Sequence, residues 1–170
     1  MKQFLGTKLL KARPMTRGEY NNYRGWPAPE SEDQSTPGYL VEYQDGGKAN
    51  HPDHAGYISW SPSDVFEKSY RATDGLNFGL AIEALKMGKR VCRAGWNGKG
   101  MFLFLLPAAE KLPTKIIHDP ALRAVIETET GGDTFDAYGS IRMWTADKKV
   151  LTGWLASQTD MLSDDWMILT

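Results

Sequence analysis

The sequence predicts an α+β fold: a helix followed by a mostly antiparallel sheet in the C-terminal part, preceded by a small α+β extension. Two observations predict it. Residues 77–88 carry apolar side chains at helical spacing, with a capping residue before them and a glycine after them. The segments that follow are short strand-like runs, two of which read as a hairpin. No internal repeat or low-complexity tract interrupts the pattern.

In the extension, residues 1–72, Thr16 and Glu19 have capping-box spacing, which predicts a short helix after Thr16 that stops by Gly25. Residues 27–37 are rich in Pro, Ser, Glu and Asp and read as an exposed loop. Residues 39–43 alternate as a strand does, and Asp45-Gly46-Gly47 predicts a tight turn after it. Residues 57–60 read as a second strand. Ser61-Pro62 then opens a helix through Tyr70, with proline in the first turn, where its missing N–H costs little.

In residues 73–170, Asn77 is placed to cap a helix built on Phe78, Leu80, Ala81, Ala84 and Leu85, with Gly88 as its stop. Strands are expected at 90–93 and 101–106. Residues 107–132 are ambiguous, and 121–126 suits a short helix or a strand. Residues 140–144 and 150–154 predict a hairpin around Ala146-Asp147-Lys148-Lys149. A polar turn containing 157–164 leads into a last strand, 166–169.

The length accommodates one domain or two small modules, and 41% hydrophobic with 24% charged residues is the balance of a soluble globular chain. A net charge of −1 argues against a nucleic-acid polymer as partner, yet leaves room for a small anion held by a local basic cluster. The single cysteine, Cys92, permits no internal disulfide and reads as a packed thiol. With neither a signal-peptide pattern at residues 1–6 nor an apolar stretch long enough for a bilayer, no membrane role is expected and the cytoplasm is the expected location.

The residues that carry chemistry lie in two tryptophan motifs. One is Arg93-Ala94-Gly95-Trp96-Asn97-Gly98-Lys99-Gly100; the other is Trp154-Leu155-Ala156-Ser157-Gln158-Thr159-Asp160, followed by Asp164-Asp165-Trp166. Each sets a large flat ring beside groups that hydrogen-bond or carry charge. Neither contains a nucleophile with its base, so the pattern suits gripping a nucleotide better than cutting one. Gly98-Lys99-Gly100 lacks the spacing and terminal Ser or Thr of a phosphate-binding P-loop. In Asn50-His51-Pro52-Asp53-His54, Pro52 prevents the helical geometry of a zinc-protease motif and no cysteine supports a structural zinc, so this reads as a surface loop. No catalytic residue, metal ligand or cofactor is assigned.

The helix Asn77-Phe78-Gly79…Glu83-Ala84-Leu85…Gly88-Lys89, the turn Gly95-Trp96-Asn97-Gly98-Lys99-Gly100-Met101 and the run Trp154…Ser157-Gln158-Thr159-Asp160-Met161-Leu162…Asp165-Trp166 resemble the Thoeris anti-defence proteins of the second type. The resemblance covers residues 74–169; residues 1–72 have no counterpart in short family members. It implies a phage-encoded, non-catalytic sponge, acting in the cytoplasm of the infected bacterial host. Such a protein binds the cyclic ADP-ribose isomer that Thoeris TIR-domain enzymes make from NAD and keeps it from its effector. Some members also take cyclic dinucleotides. The family implies a homo-oligomer, commonly a tetramer, with pockets built across subunits.

Given that ligand class, Trp96 and Trp154 offer stacking platforms worth roughly 1–3 kcal/mol per base. Arg93 is the candidate for the phosphates. Asn97, Ser157, Gln158 and Asp160 are candidates to read adenine edges and ribose hydroxyls. Plainer roles stay open beside these: both rings can fill the core, and Ser157 with Asp160 has the spacing of a helix cap. Trp60, Trp144 and Trp166 are assigned to the core, and Asp164 and Asp165 to capping and solvating the final turn. The competing functions are a hydrolase of the same signals and a phage structural or protein-interaction module.

Overall fold

The computed structural model describes residues 1–3, 6–131 and 133–169. The readings that touch Phe4, Leu5, Gly132 and Thr170 lie outside the described residues. The chain divides into two compact units, Met1–Arg71 and Ala72–Thr170. Among the described residues every strand pairing is antiparallel, and helices accompany the sheets in both units, which makes the fold α+β.

In the first unit, β1 (Leu10–Pro14), β2 (Gly38–Tyr43) and β3 (Ile58–Pro62) form a three-stranded sheet in that order, with α1 (Arg17–Arg24) and α2 (Ser63–Ser69) packed on it. Helix α1 begins as the capping box requires. The Glu19 backbone N–H donates to Thr16 Oγ1 at 3.2 Å, and the Thr16 backbone N–H donates to Glu19 Oε2 at 2.7 Å. Tyr20 of α1 packs with Leu40 and Ile58 in a small core, while Tyr39 stacks on Phe66 of α2 at 4.2 Å. Neighbouring residues on a strand point to opposite faces, so the two helices cover opposite faces of the sheet.

Three expectations change here. Strand β1 carries no apolar alternation; it exists by pairing along β2, and its Lys11, Arg13 and Pro14 suit an unpaired edge. Asp45-Gly46-Gly47 turns the chain after β2 as a bend rather than as a tight hydrogen-bonded turn, and β3 starts only at Ile58. Instead the Asn50 amide stands in for a strand partner: the Ile58 N–H donates to Asn50 Oδ1 at 2.8 Å, and Asn50 Nδ2 donates to the Ile58 carbonyl at 2.9 Å. Pro62 ends β3 and sits at the N-cap of α2 rather than inside its first turn.

The second unit opens with α3 (Phe78–Lys86), capped by Asn77, whose Oδ1 accepts from the Leu80 N–H at 2.9 Å. Strands β4 (Arg90–Arg93) and β5 (Phe102–Leu106) follow. The ambiguous stretch resolves into β6 (Ala109–Pro113), a single turn at Thr114–Ile116, and α4 (Pro120–Thr130), with β7 (Thr134–Ala137) returning along β6 as a separate two-stranded ribbon. The hairpin is β8 (Ser140–Trp144) and β9 (Val150–Thr152). It ends before Trp154 because Gly153, at φ 76°, turns the chain out of the strand. The polar turn contains a one-turn helix, α5 (Gln158–Met161), and β10 (Trp166–Leu169) closes the unit.

The main sheet runs β10-β4-β5-β8-β9. Its core gathers Ala81, Ala84 and Leu85 of α3 with Val91, Leu103, Met143 and Trp166. Trp166 is fully buried and joined to Leu76 by two backbone hydrogen bonds of 2.8 and 3.0 Å. Trp60 and Trp144 are only half-buried. Trp60 donates to the Met15 carbonyl, and Trp144 stacks on Phe102 across β5 and β8. Cys92 is buried, and that burial pushes its thiol pKa up.

Candidate functional site

The register of β4 against β10 builds the site. It sets Arg93 opposite Trp166 and lets the Ala94 N–H donate to the Asp165 carbonyl at 3.0 Å. The two tryptophan motifs, far apart in sequence, therefore meet at one end of the sheet. Trp96, Trp154 and Trp166 form a cluster of edge-on rings. Centroids are 6.3 Å apart for Trp96–Trp154, 5.5 Å for Trp96–Trp166 and 6.3 Å for Trp154–Trp166, and Phe78 of α3 closes the group. Such edge-to-face packing is favourable beyond the area it buries. Trp96 and Trp154 are half-buried, so each both contributes to the core and reaches the surface.

Asp160 is the electrostatic centre. Its Oδ1 accepts from Arg93 Nη1 at 2.9 Å and from Trp96 Nε1 at 3.1 Å. Its Oδ2 accepts from the Ser157 hydroxyl at 2.7 Å and the Ser157 N–H at 3.0 Å. The Asp160 carbonyl accepts from Trp166 Nε1 at 2.9 Å. Burial pushes this carboxyl's pKa up, but the bonds from Ser157, Arg93 and Trp96 outweigh it and hold the pKa down to about 2.

Arg93 is shared between two carboxylates. Its Nε donates to Asp165 Oδ1 at 2.8 Å and its Nη2 to Asp165 Oδ2 at 3.4 Å, opposite the bond to Asp160. These bonds, with Asp165 first, raise the guanidinium pKa, and the bond from Arg93 lowers that of Asp165. One guanidinium against two carboxylates leaves the trio with a net negative charge. In a single chain Arg93 thus acts as a positioning group, and it offers no net positive charge to a pyrophosphate. Asp165 was expected to solvate the final turn; instead it also accepts from the Gly95 N–H at 2.7 Å, locking the first motif to the last strand.

Of the residues singled out in the sequence, Arg93, Trp96, Trp154, Ser157 and Asp160 come together as one hydrogen-bonded and packed unit. Ser157 and Asp160 form a reciprocal capping box on α5. Asn97 and Gln158 lie exposed, as do Ser157 and Thr159, and they form the polar lip of the cluster. Leu155 and Leu162, on either side of α5 in the sequence, are 88% and 79% exposed. Sequence reading missed Asp165 and Gly95. A signal for Gly95 exists only in three dimensions: a Cβ there would lie 2.8 Å from Asp165 Oδ2.

The histidine segment of the first unit is a surface loop with Pro52 and Asp53 exposed, and its two imidazoles are tied to the unit beneath. His54 Nδ1 pairs with Glu42 Oε2 at 2.9 Å and its Nε2 meets the Tyr23 hydroxyl at 2.9 Å, while His51 stacks on Tyr23 at 4.4 Å. Both imidazoles are mostly buried, so the loop is pinned by its histidines.

The second unit's segment 76–169 matches the family profile of the Thoeris anti-defense 2-like domain, more than half of the chain. The chain belongs to that family. A curated relative, Thoeris anti-defense 2 of Bacillus phage SP01, is 35% identical over 102 residues, covering 56% of this chain and 96% of the relative. Every residue of the aromatic–carboxylate cluster falls inside the matched segment. The alignment takes up nearly all of the relative but leaves the remaining 44% of this chain (100 − 56) unmatched.

Proposed function

We propose that the protein is an anti-defence sponge that binds and sequesters, without degrading, the cyclic ADP-ribose-type signal made by Thoeris TIR enzymes in the cytoplasm of the infected cell. Cyclic dinucleotides are a second ligand class for the same activity. The observation that supports this best is the composition of the lip. Asn97 and Gln158 are exposed amides next to the cluster, and Ser157, whose donors already serve Asp160, adds a hydroxyl lone pair; the half-buried Trp96 and Trp154 rings lie beside the Arg93–Asp160–Asp165 frame. Hydrogen-bonding groups beside an aromatic edge suit a base and ribose hydroxyls. A preorganised frame lowers the entropy lost on binding.

One chain supplies a lip and not an enclosure, so capture at nanomolar strength, about −12 kcal/mol, calls for a second copy to cover the ligand. The exposed Leu155 and Leu162 beside the lip suit that role, and a homo-oligomer, a tetramer by family resemblance, is part of the proposal. A subunit partner would also contribute cationic groups for the pyrophosphate, which the neutralised Arg93 does not.

The test is capture and release. The cyclic signal is incubated with a stoichiometric amount of protein, the unbound fraction is removed, and the protein is heat-denatured. Recovery of chemically unchanged signal is expected. Recovery of a hydrolysed product makes the protein an enzyme instead, and no retention of any cyclic nucleotide removes the sponge.

A further inference from the structure

The first unit contains an open cleft of about 400 Å³ that the family resemblance does not reach. Its walls are Tyr43 at the end of β2, Tyr57 just before β3, and Tyr70 at the end of α2. Tyr70 is held in place from behind, because its ring packs on Phe66 at 4.9 Å, which in turn stacks on Tyr39 at 4.2 Å. Asp45 is carried to the rim by the turn after β2, where Gly46 and Gly47 adopt φ of 126° and 94°, values that side chains rarely tolerate.

A cation already lies in this setting. The Lys8 ammonium stands 5.1 Å above the Tyr43 ring and 3.1 Å from Asp45 Oδ2. Aromatic faces with one carboxylate are the recurring design for gripping an organic ammonium group, through the negative face of each ring. Lys8 and Asp45 are about half exposed, so their pairing is weak and easily exchanged. The ring geometry speaks against a flat ligand. Tyr43 and Tyr57 are 6.4 Å apart and tilted by 38°, whereas a sandwiched base needs parallel rings roughly 7 Å apart, twice the carbon contact distance. Burial raises the Tyr70 hydroxyl pKa, with Tyr43 and Asp45 adding to the rise and Lys8 opposing it. That hydroxyl stays neutral at physiological pH, which leaves Asp45 as the anion of the cleft.

We propose that this tyrosine cleft is a binding site for an alkylammonium group, and that the Lys8 side chain occupies it in the free protein as an internal, displaceable competitor. The shared chemistry is a primary or methylated ammonium on a flexible aliphatic chain. A free polyamine and a lysine side chain are its two sources.

The full chain is titrated by NMR and calorimetry with spermidine, with N-acetyl-lysine amide and with tetramethylammonium; sodium chloride at matched ionic strength is the control, and AMP runs in parallel. Saturable binding that shifts the Tyr57 and Tyr70 ring signals is expected, and spermidine against the lysine amide distinguishes the sources. Lys8→Ala should bind roughly three- to tenfold tighter, because the competitor is gone, and Asp45→Asn should bind weaker by a similar factor. Tyr57 and Asp45 are exposed enough that Tyr57→Ala and Asp45→Asn should leave the melting temperature unchanged. Absence of saturable binding to both wild type and Lys8→Ala overturns the proposal. So does Lys8→Ala binding ammonium more weakly than wild type, or AMP competing for the cleft in a Lys8-dependent way.

Discussion

At the scale of single residues, Asp160 decides how the site responds to acid. Its carboxyl has a pKa of about 2 in the folded chain, against an ordinary value of 3.8. Above about pH 5 it is ionised in folded and unfolded chains alike, and its full stabilisation is present. As the pH falls from about 5 to about 2, the unfolded chain takes up the proton first, and roughly 2 kcal/mol of stability drains away. Asp160→Asn should lose about 2–3 kcal/mol at neutral pH, because the amide keeps one acceptor oxygen but loses the charge that faces Arg93 and sets an NH2 donor against one set of the donors from Arg93, Trp96 and Ser157. It should also flatten the pH dependence of urea unfolding across that window. A variant that retains the wild-type acid transition would place the titration elsewhere. Gly95 is a second decisive position. A methyl group there meets a carboxylate oxygen that Arg93 and the Gly95 N–H both hold in place. Gly95→Ala is expected to cost about 1–3 kcal/mol in chemical unfolding, and a neutral result would mean that the Asp165 lock opens freely.

At the scale of elements, what could be read from the sequence was what is encoded locally. Thr16 with Glu19 and Asn77 with Leu80 each declare a helix start over a few residues, and both helices begin there. Strands β4, β5, β8 and β10 were legible because one face of each meets α3 or its neighbours in the core. Strands β1, β6 and β7 were not, since they are largely exposed and owe their form to a partner strand rather than to their own pattern. The site divides the same way. The Ser157–Asp160 cap is a three-residue spacing and could be seen, whereas Arg93–Asp165 joins residues 72 apart and could not. On the sponge reading, this division separates the proposed ligand contacts from scaffold. Trp96 and Trp154 support the core, so truncating either would confuse lost binding with lost packing. Asn97 and Gln158 are exposed and hold nothing else in place among the described side-chain bonds. Asn97→Ala and Gln158→Ala should each weaken signal capture up to about tenfold, as expected for one hydrogen bond, with an unchanged melting temperature. Calorimetry showing wild-type affinity in both would move the contact surface away from the lip.

At the scale of the whole molecule, the two units present separate problems of stability. The first buries Tyr20, Leu40 and Ile58 in its own small core, and the second buries a larger set around Trp166 and Leu103. A unit of about 100 residues with such a core is of the size that folds alone, and a phage relative aligns over 96% of its length while leaving 44% of this chain (100 − 56) unmatched. All the residues of the proposed signal site belong to the second unit. Residues 72–170 produced alone should therefore unfold cooperatively and, on the sponge reading, hold the cyclic signal within about twofold of the full chain's affinity, since no hydrogen bond worth about 0.5–1.5 kcal/mol would be missing. On the same reading, analytical ultracentrifugation of the fragment should give the same assembly state as the full chain, because Leu155 and Leu162 are retained. Cooperative folding with a tenfold loss of affinity would overturn the assignment of the whole signal site to the second unit.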